Sequence, residues 1–296
     1  MNKSRTAITV KELSAVWRAL LISLAAMVFF GPVARAQTVD EIIAKYVQAH
    51  GGMEKIKAIQ AIRISGKLNA GAFQAKVLHE NKRPSKVREE VTINGMTHVR
   101  AYDGNSPWQV NPFMGRKEPE LLSEDDAKSL VVDADIDGPL VDYKRKGHKA
   151  EFVSHDSVEG TDCYKIKLTL KTGDIQIYYL DADSFLELKL ERQTTIRGAV
   201  KENETYYGDY EEINGMYFPF AVETAQKGDP DRTKISVEKV ELNVSLEDIL
   251  FSMPAARPET KAAVAPKMNV AFRLFARTDV RLLVRTTNLT VRDSWR

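Results

Sequence analysis

The chain is predicted to be mainly β with short α-helices: one large, curved antiparallel sheet, or half-open β-barrel, with a helical lid. Three observations predict it. Apolar and polar residues alternate with a period of two through most of residues 62–243. Turn signals separate the alternating runs at short spacing, which is the pattern of a meander. Helical periodicity is confined to an opening segment and one insert.

The opening element is an amphipathic helix over 38–50. Thr38 and Glu41 form a capping box, and Val39, Ile42, Ile43, Tyr46 and Val47 fall on one face. Gly51-Gly52 stops it, because glycine takes a left-handed C-cap without strain. Ile62, Ile64, Gly66 and Leu68 then alternate with Arg63, Ser65 and Lys67, and Phe73, Ala75 and Val77 with Gln74 and Lys76. Strands near 85–93 and 96–102 follow. Asp103-Gly104-Asn105-Ser106-Pro107 is a turn, and Trp108-Gln109-Val110 starts the next strand.

Between 118 and 147 the pattern changes. Ser123 and Asp126 form a second capping box, and Leu121, Leu122, Ala127, Leu130 and Val131 stripe a short helix. Leu140, Val141 and Tyr143 form another turn or short helix. From His148 the strands return, through Tyr164–Leu170, Ile175–Tyr179 and Leu186–Leu190, then near 200–211, 216–224 and 232–243. Asn214-Gly215 is a hairpin turn. The total is about ten or eleven strands.

The ends differ from this centre. Residues 1–36 have the order of a secretory signal peptide: Lys3, Arg5, Lys11 and Arg18, an apolar run from Ala19 to Phe30, then Ala34-Arg35-Ala36 before Gln37. An uncleaved anchor is the alternative, but the run falls short of the roughly 20 residues a spanning helix needs. Cleavage after Ala36 leaves no cysteine at the new N-terminus, so the mature chain is expected to be periplasmic, without a lipid anchor. Residues 255–296 read as a Pro/Ala linker and a basic tail punctuated by arginines. The tail is expected to be disordered, with a membrane-surface segment or a non-native reading frame as alternatives. The domain between runs 37–254.

Charge and cysteine content exclude several classes. The net charge of +2 combines +4 in residues 1–36 and +6 in residues 257–296, leaving −8 on residues 37–256. An acidic core argues against nucleic acid as a partner. Cys163 is the single cysteine, so no internal disulfide forms.

The sequence carries no complete catalytic or metal-binding motif. Asp133, Asp135, Asp137 and Gly138 imitate the front of an EF-hand loop, but Lys144 stands where the bidentate glutamate belongs. The segment is therefore expected to be an acidic, solvated connection. The five histidines show no H-E-x-x-H, although His148 and His155 could meet near Asp156. There is no nucleophile elbow and no phosphate loop, and Asp162 beside Cys163 would raise its thiol pKa. No catalytic residue, metal or cofactor is expected, and the chain is read as a non-enzyme.

The aromatic residues are more informative. Several strands carry apolar side chains on both faces, such as Tyr178 and Leu180 against Ile177 and Tyr179. An ordinary core explains most of them. A sheet wetted on one side does not need the second face, whereas a core plus an apolar cavity does. Candidate cavity residues are Phe73, Val77, Trp108, Val110, Tyr178, Leu188, Phe218 and Phe220, and candidate lid residues are Leu121, Leu122, Leu130 and Val131.

The ordered series Arg83-Pro84-Ser85-Lys86-Val87-Arg88, Ala101-Tyr102-Asp103-Gly104-Asn105-Ser106-Pro107-Trp108, Tyr179-Leu180-Asp181-Ala182, Asn214-Gly215-Met216-Tyr217-Phe218-Pro219 and Asp248-Ile249-Leu250-Phe251-Ser252-Met253-Pro254 resembles the LolA-like superfamily of periplasmic outer-membrane lipoprotein-sorting proteins, including RseB-type stress sensors. The resemblance covers about 37–254. It implies a half-open β-barrel whose concave apolar face, closed by short helices, holds acyl chains of a lipid or lipoprotein. The insert at 118–147 is longer and more acidic than in a dedicated carrier of that family. The expected function is a monomeric periplasmic carrier or sensor of acyl chains, with an inner- or outer-membrane protein as possible partner. The alternatives are an envelope protein-interaction or stress-sensing module, and, third, a hydrolase.

Overall fold

A computed structural model describes residues 37–70 and 73–255. The expected leader at 1–36 and the tail beyond Ala255 lie outside the described residues. The first helix, α1 (Val39–Ala49), carries the expected capping box: Glu41 N–H donates to Thr38 Oγ1 at 3.3 Å, and Thr38 N–H to Glu41 Oε2 at 2.8 Å. Gly51 turns the chain at φ +97°, where a β-carbon would stand 2.7 Å from the Gly215 carbonyl oxygen. A second helix, α2 (Gly52–Ala58), starts at once, where the sequence predicted only a stop. Ile56 is its one buried side chain, so it has no apolar period to read.

Thirteen strands follow: β1 (Ala61–Ala70), β2 (Phe73–Lys82), β3 (Lys86–Ile93), β4 (Met96–Tyr102), β5 (Pro107–Asn111), β6 (Arg116–Leu121), β7 (Lys149–Val158), β8 (Thr161–Thr169), β9 (Ile175–Asp181), β10 (Glu187–Ile196), β11 (Ala199–Ile213), β12 (Met216–Gln226) and β13 (Thr233–Leu242). They form one sheet in the order β6-β5-β4-β3-β2-β1-β13-β12-β11-β10-β9-β8-β7. Every neighbouring pair is antiparallel, and the sheet is not closed. β6 exceeds the expectation because Arg-Lys-Glu-Pro-Glu-Leu has no alternation. It is an edge strand, where charge and proline are tolerated.

The chain enters this sheet in its middle. Strands β1–β6 run out to one edge, and β7–β13 return from the other until β13 pairs with β1. The seam has a bulge between Ser65 and Gly66. A β-carbon on Gly66 would meet the Ser236 carbonyl oxygen at 2.4 Å, so the close approach of the two backbones requires glycine. Residues 122–148, including α3 (Glu124–Asp133), carry the chain from one edge to the other.

The core lies on the inner face, where the helices and this crossing connection pack. Ile42, Ile43 and Tyr46 of α1, with Leu140, Val141 and Tyr143 of the connection, cluster with Ile166, Leu168, Tyr178, Leu180 and Leu190 of the sheet. Each such aliphatic side chain contributes about 1.5–3 kcal/mol when fully buried. Leu68, Ala75, Val91, Ile93 and Phe113 form a second cluster on the other flank.

The outer face is covered differently from expectation. Tyr179 lies against Lys165 and Lys189, whose ammonium groups sit 4.9 and 5.4 Å from its ring centroid, and its hydroxyl donates to Glu191 Oε1 at 2.9 Å. The second apolar face of β9 is thus covered by lysine stems rather than by helices or a cavity. Among the described residues, no helix is long and apolar enough to cross a membrane.

Candidate functional site

Alternation along β1 aims Ile62, Ile64, Gly66 and Leu68 at the inner face. The antiparallel register then sets Ile64 beside His79, His79 beside Glu89, Glu89 beside Arg100 and Arg100 beside Gln109. A row of four polar residues therefore crosses β2 to β5. His79 Nδ1 lies 3.5 Å from Glu89 Oε1, and Arg100 Nη1 3.4 Å from Glu89 Oε2. Burial pulls the Arg100 guanidinium below its usual range, and Glu89 opposes this.

Arg100 also holds α3. Its Nη2 donates to the Asp126 carbonyl at 3.0 Å, while Leu130 packs with Val87, Ala134, Tyr102 and Leu122. The opposite flank of the sheet grips the same helix. Arg197 N–H donates to Asp125 Oδ2 at 2.7 Å, Arg197 Nη2 to Asp126 Oδ2 at 2.6 Å, and Lys128 Nζ to the Thr195 carbonyl at 2.6 Å. At the helix C-terminus, Asn81 Nδ2 donates to the Asp133 carbonyl at 2.7 Å. α3 is thus fastened to both halves of the sheet.

The acidic segment after α3 is not solvated as the sequence predicted. The Asp137 side chain is only 5 % exposed and pairs with both Lys57 and Arg83. Asp135 pairs with Lys146 at 2.5 Å. Burial tends to raise the Asp137 pKa, but the Arg83 and Lys57 hydrogen bonds and charges hold it below the ordinary carboxylate value. No group of three or more metal-ligating side chains occurs among the described residues.

Two adjoining cavities occur among the described residues, the first beneath this cover and the second walled by strand residues. One, of about 300 Å³, lies between Ile62 and Ile64 of β1, Tyr46 of α1 and its C-cap His50, Val132 and Ile136 of the crossing connection, and Arg192 of β10. The other, of about 320 Å³, is walled by Val77, Tyr207, Val222, Ile235, Val237 and Val240. Ile64, His79 and Phe218 line both. Each volume lies at the lower end of the range for small-molecule sites, and together they approach its middle.

A half-buried network fixes the C-terminal end of α1 at the first cavity. His50 Nε2 lies 2.8 Å from Glu187 Oε2, the Tyr46 hydroxyl donates to Glu187 Oε1 at 2.8 Å, and the Tyr210 hydroxyl to the Glu187 carbonyl at 2.9 Å. Burial opposes charge on His50, but Glu187 outweighs it and raises the imidazole pKa. Burial also opposes charge on Glu187, and His50 outweighs it in turn and lowers the carboxyl pKa.

The candidate cavity residues divide. Phe218 lines both cavities and Val77 the second. Tyr178 is buried in the main core, with Phe220 packed against it. Leu188 and Val110 are half-buried, and Phe73 is 37 % exposed. Trp108 lies on the face opposite Arg100, its indole N–H donating to the Phe251 carbonyl at 2.7 Å. Of the lid candidates, Leu130 and Leu122 face inward, whereas Leu121 and Val131 are exposed. Val132, absent from the candidates, lines the first cavity.

The chemistry of the remaining groups is subdued. His148 Nδ1 accepts from the Lys171 backbone, and His155 lies among the rings of Phe152 and Tyr164, so they serve separate contacts. Asp103 accepts from the Asn105 and Ser106 amides as a turn cap. Burial, then Asp156, pushes the Cys163 thiol up to about 11.

A family model of an uncharacterized protein matches residues 116–255. Comparison with curated proteins finds no match. Among solved structures, the chain is similar to a DUF1329 family protein from Desulfovibrio piger, at 13 % identity and TM-score 0.52 over 73 % of this chain and 98 % of that one. It is also similar to a LolA superfamily protein from Nitrosomonas europaea, at 14 % identity and TM-score 0.49 over 73 % and 98 %. A putative outer membrane lipoprotein-sorting protein domain from Vibrio parahaemolyticus matches at 11 % identity and TM-score 0.49 over 71 % and 94 %. What this chain shares with the first of these is the fold: an open antiparallel sheet with helices on its inner face, as the LolA-like resemblance of the sequence implies.

Proposed function

We propose that the chain is a non-catalytic periplasmic carrier or sensor that binds acyl chains of a lipid or lipoprotein on the inner face of its sheet, beneath α3. The observation carrying this reading is the pair of adjoining cavities with common walls at Ile64, His79 and Phe218. Phe218 is the aromatic member of that common wall. Apolar burial at about 25 cal/mol per Å² would drive uptake. Entry would require α3 to yield on at least one flank.

The test is titration of the mature chain with a fluorescent fatty acid, alongside organic extraction of protein purified from its native envelope. Saturable uptake, lost in a folded Phe218→Asp variant, is expected. No saturable uptake and no extractable lipid would overturn the reading. A second reading, docking of an envelope protein, is favoured by edge strand β7, where Val153 is half exposed. It predicts a specific co-purifying protein that is lost when Val153 is replaced by lysine.

A further inference from the structure

The first cavity contains charge, and its pairing is uneven. Asp137 is matched by Lys57 and Arg83, Asp135 by Lys146, and His50 by Glu187. Arg192 is the exception. It projects from β10 on the same face as Leu190, between α3 and the strand. Its Nε is buried and has no hydrogen-bond partner, and its Nη1 stands 3.9 Å from Asp133 Oδ1, beyond hydrogen-bond reach. A guanidinium offers five donors in a planar fork that fits a carboxylate or phosphate. Leaving such a fork under-used beside an apolar cavity carries a desolvation cost that an anionic ligand would offset.

Resting on the carrier reading, we propose that Arg192 is the head-group anchor of the cavity and that the ligand is an anionic amphiphile. Its carboxylate or phosphate monoester takes the guanidinium fork in place of Asp133, and its chain runs past Ile64 towards Phe218. The exchange reaches α3, because Asp133 is that helix's last residue and its last turn holds no basic side chain. An aspartate at the negative end of a helix dipole depends on a nearby cation. When the ligand's anion occupies Arg192, the long ion pair to Asp133 is exchanged for one to the ligand, while Asn81 still holds the Asp133 carbonyl.

The experiment titrates the mature chain with three probes sharing one polyene chain: the fatty acid, the alcohol and the phosphate monoester. The expected result is that the acid, the phosphate or both bind at least about tenfold more tightly than the alcohol. The two anionic arms identify which head is preferred. Arg192→Gln should erase the preference while leaving alcohol binding within about twofold. Asp133→Asn, which removes the resident competitor, should strengthen anion binding several-fold. Arg192→Lys should keep part of the preference, and it decides the matter together with Asp133→Asn if the glutamine variant does not fold. Equal binding of all three probes, or equal weakening of all three by Arg192→Gln, would overturn the anchor while leaving the carrier reading intact. Failure of every probe to saturate would remove both.

Discussion

His98 should make the protein acid-labile by a calculable amount. It is 1 % exposed, in the polar layer beneath α3. Gln109 Nε2 donates to Glu120 Oε1 at 2.8 Å, which turns the Gln109 carbonyl oxygen towards His98 Nε2 at 3.3 Å. His98 is therefore the tautomer protonated at Nε2, and its buried Nδ1 has no hydrogen-bond partner. Charging that nitrogen would place a second cation, shielded from water, near Arg100. Burial first, then the Arg100 charge, lower the His98 pKa to about 4 from the ordinary 6.5. The folded state thus binds fewer protons than the unfolded chain between those values. Stability is fully present above the unfolded pKa and is lost as pH falls towards the folded one. A shift of this size amounts to about 3 kcal/mol, a large part of a typical domain's stability.

The assay is urea unfolding of the wild type and His98→Gln across pH 4–7. Carboxylates titrate in both proteins, so the difference between the two curves isolates His98. His50 acts in the opposite sense. Its raised pKa gives stability that is present below 6.5 and lost as pH rises through the folded value, so its window lies on the alkaline side. The wild-type advantage over His98→Gln should shrink by about 3 kcal/mol between pH 6.5 and pH 4. A flat difference across that interval would refute the reasoning.

Three further outcomes are expected. Gly66→Ala drives a β-carbon to 2.4 Å from the Ser236 carbonyl oxygen and should cost about 1–3 kcal/mol, read as a lower urea midpoint. Asp137→Asn removes the carboxylate between Lys57 and Arg83 and leaves Lys57 with Asp142 alone. It should cost about 1–3 kcal/mol and raise protease cleavage within 134–148, whereas unchanged cleavage would deny that these pairs seat the connection. Cys163, with its thiol raised to about 11 and its side chain buried, should resist iodoacetamide at pH 8 in native protein and react on unfolding.

Much of the fold was legible because it is written locally. The Thr38 and Glu41 cap, the alternation along β1 and β8 and the Asn214-Gly215 hairpin are decided by residues a few positions apart. β6 and α2 escaped because neither buries enough apolar surface to impose a period. The site was less legible for a different reason. Its apolar wall at Val77 and Phe218 shows as two-faced strands, but Arg192, His79 and Asp137 acquire their roles from partners on distant strands and on the crossing connection. Asp137 reads as a wetted acid in the sequence, and only the arrival of Lys57 and Arg83, both more than fifty residues away, lets it go inside.

Because the sheet is entered at its centre, its two outermost strands are consecutive in the chain and are joined by one continuous piece of backbone, residues 122–148, lying over the hollow. That piece works like the string of a bow. It cannot hinge away at a free end, because it has none: one end continues into β6 and the other into β7. Lifting α3 therefore draws first on the non-helical residues beside it, 122–123 and 134–148, and only then loads the two rims at β6 and β7.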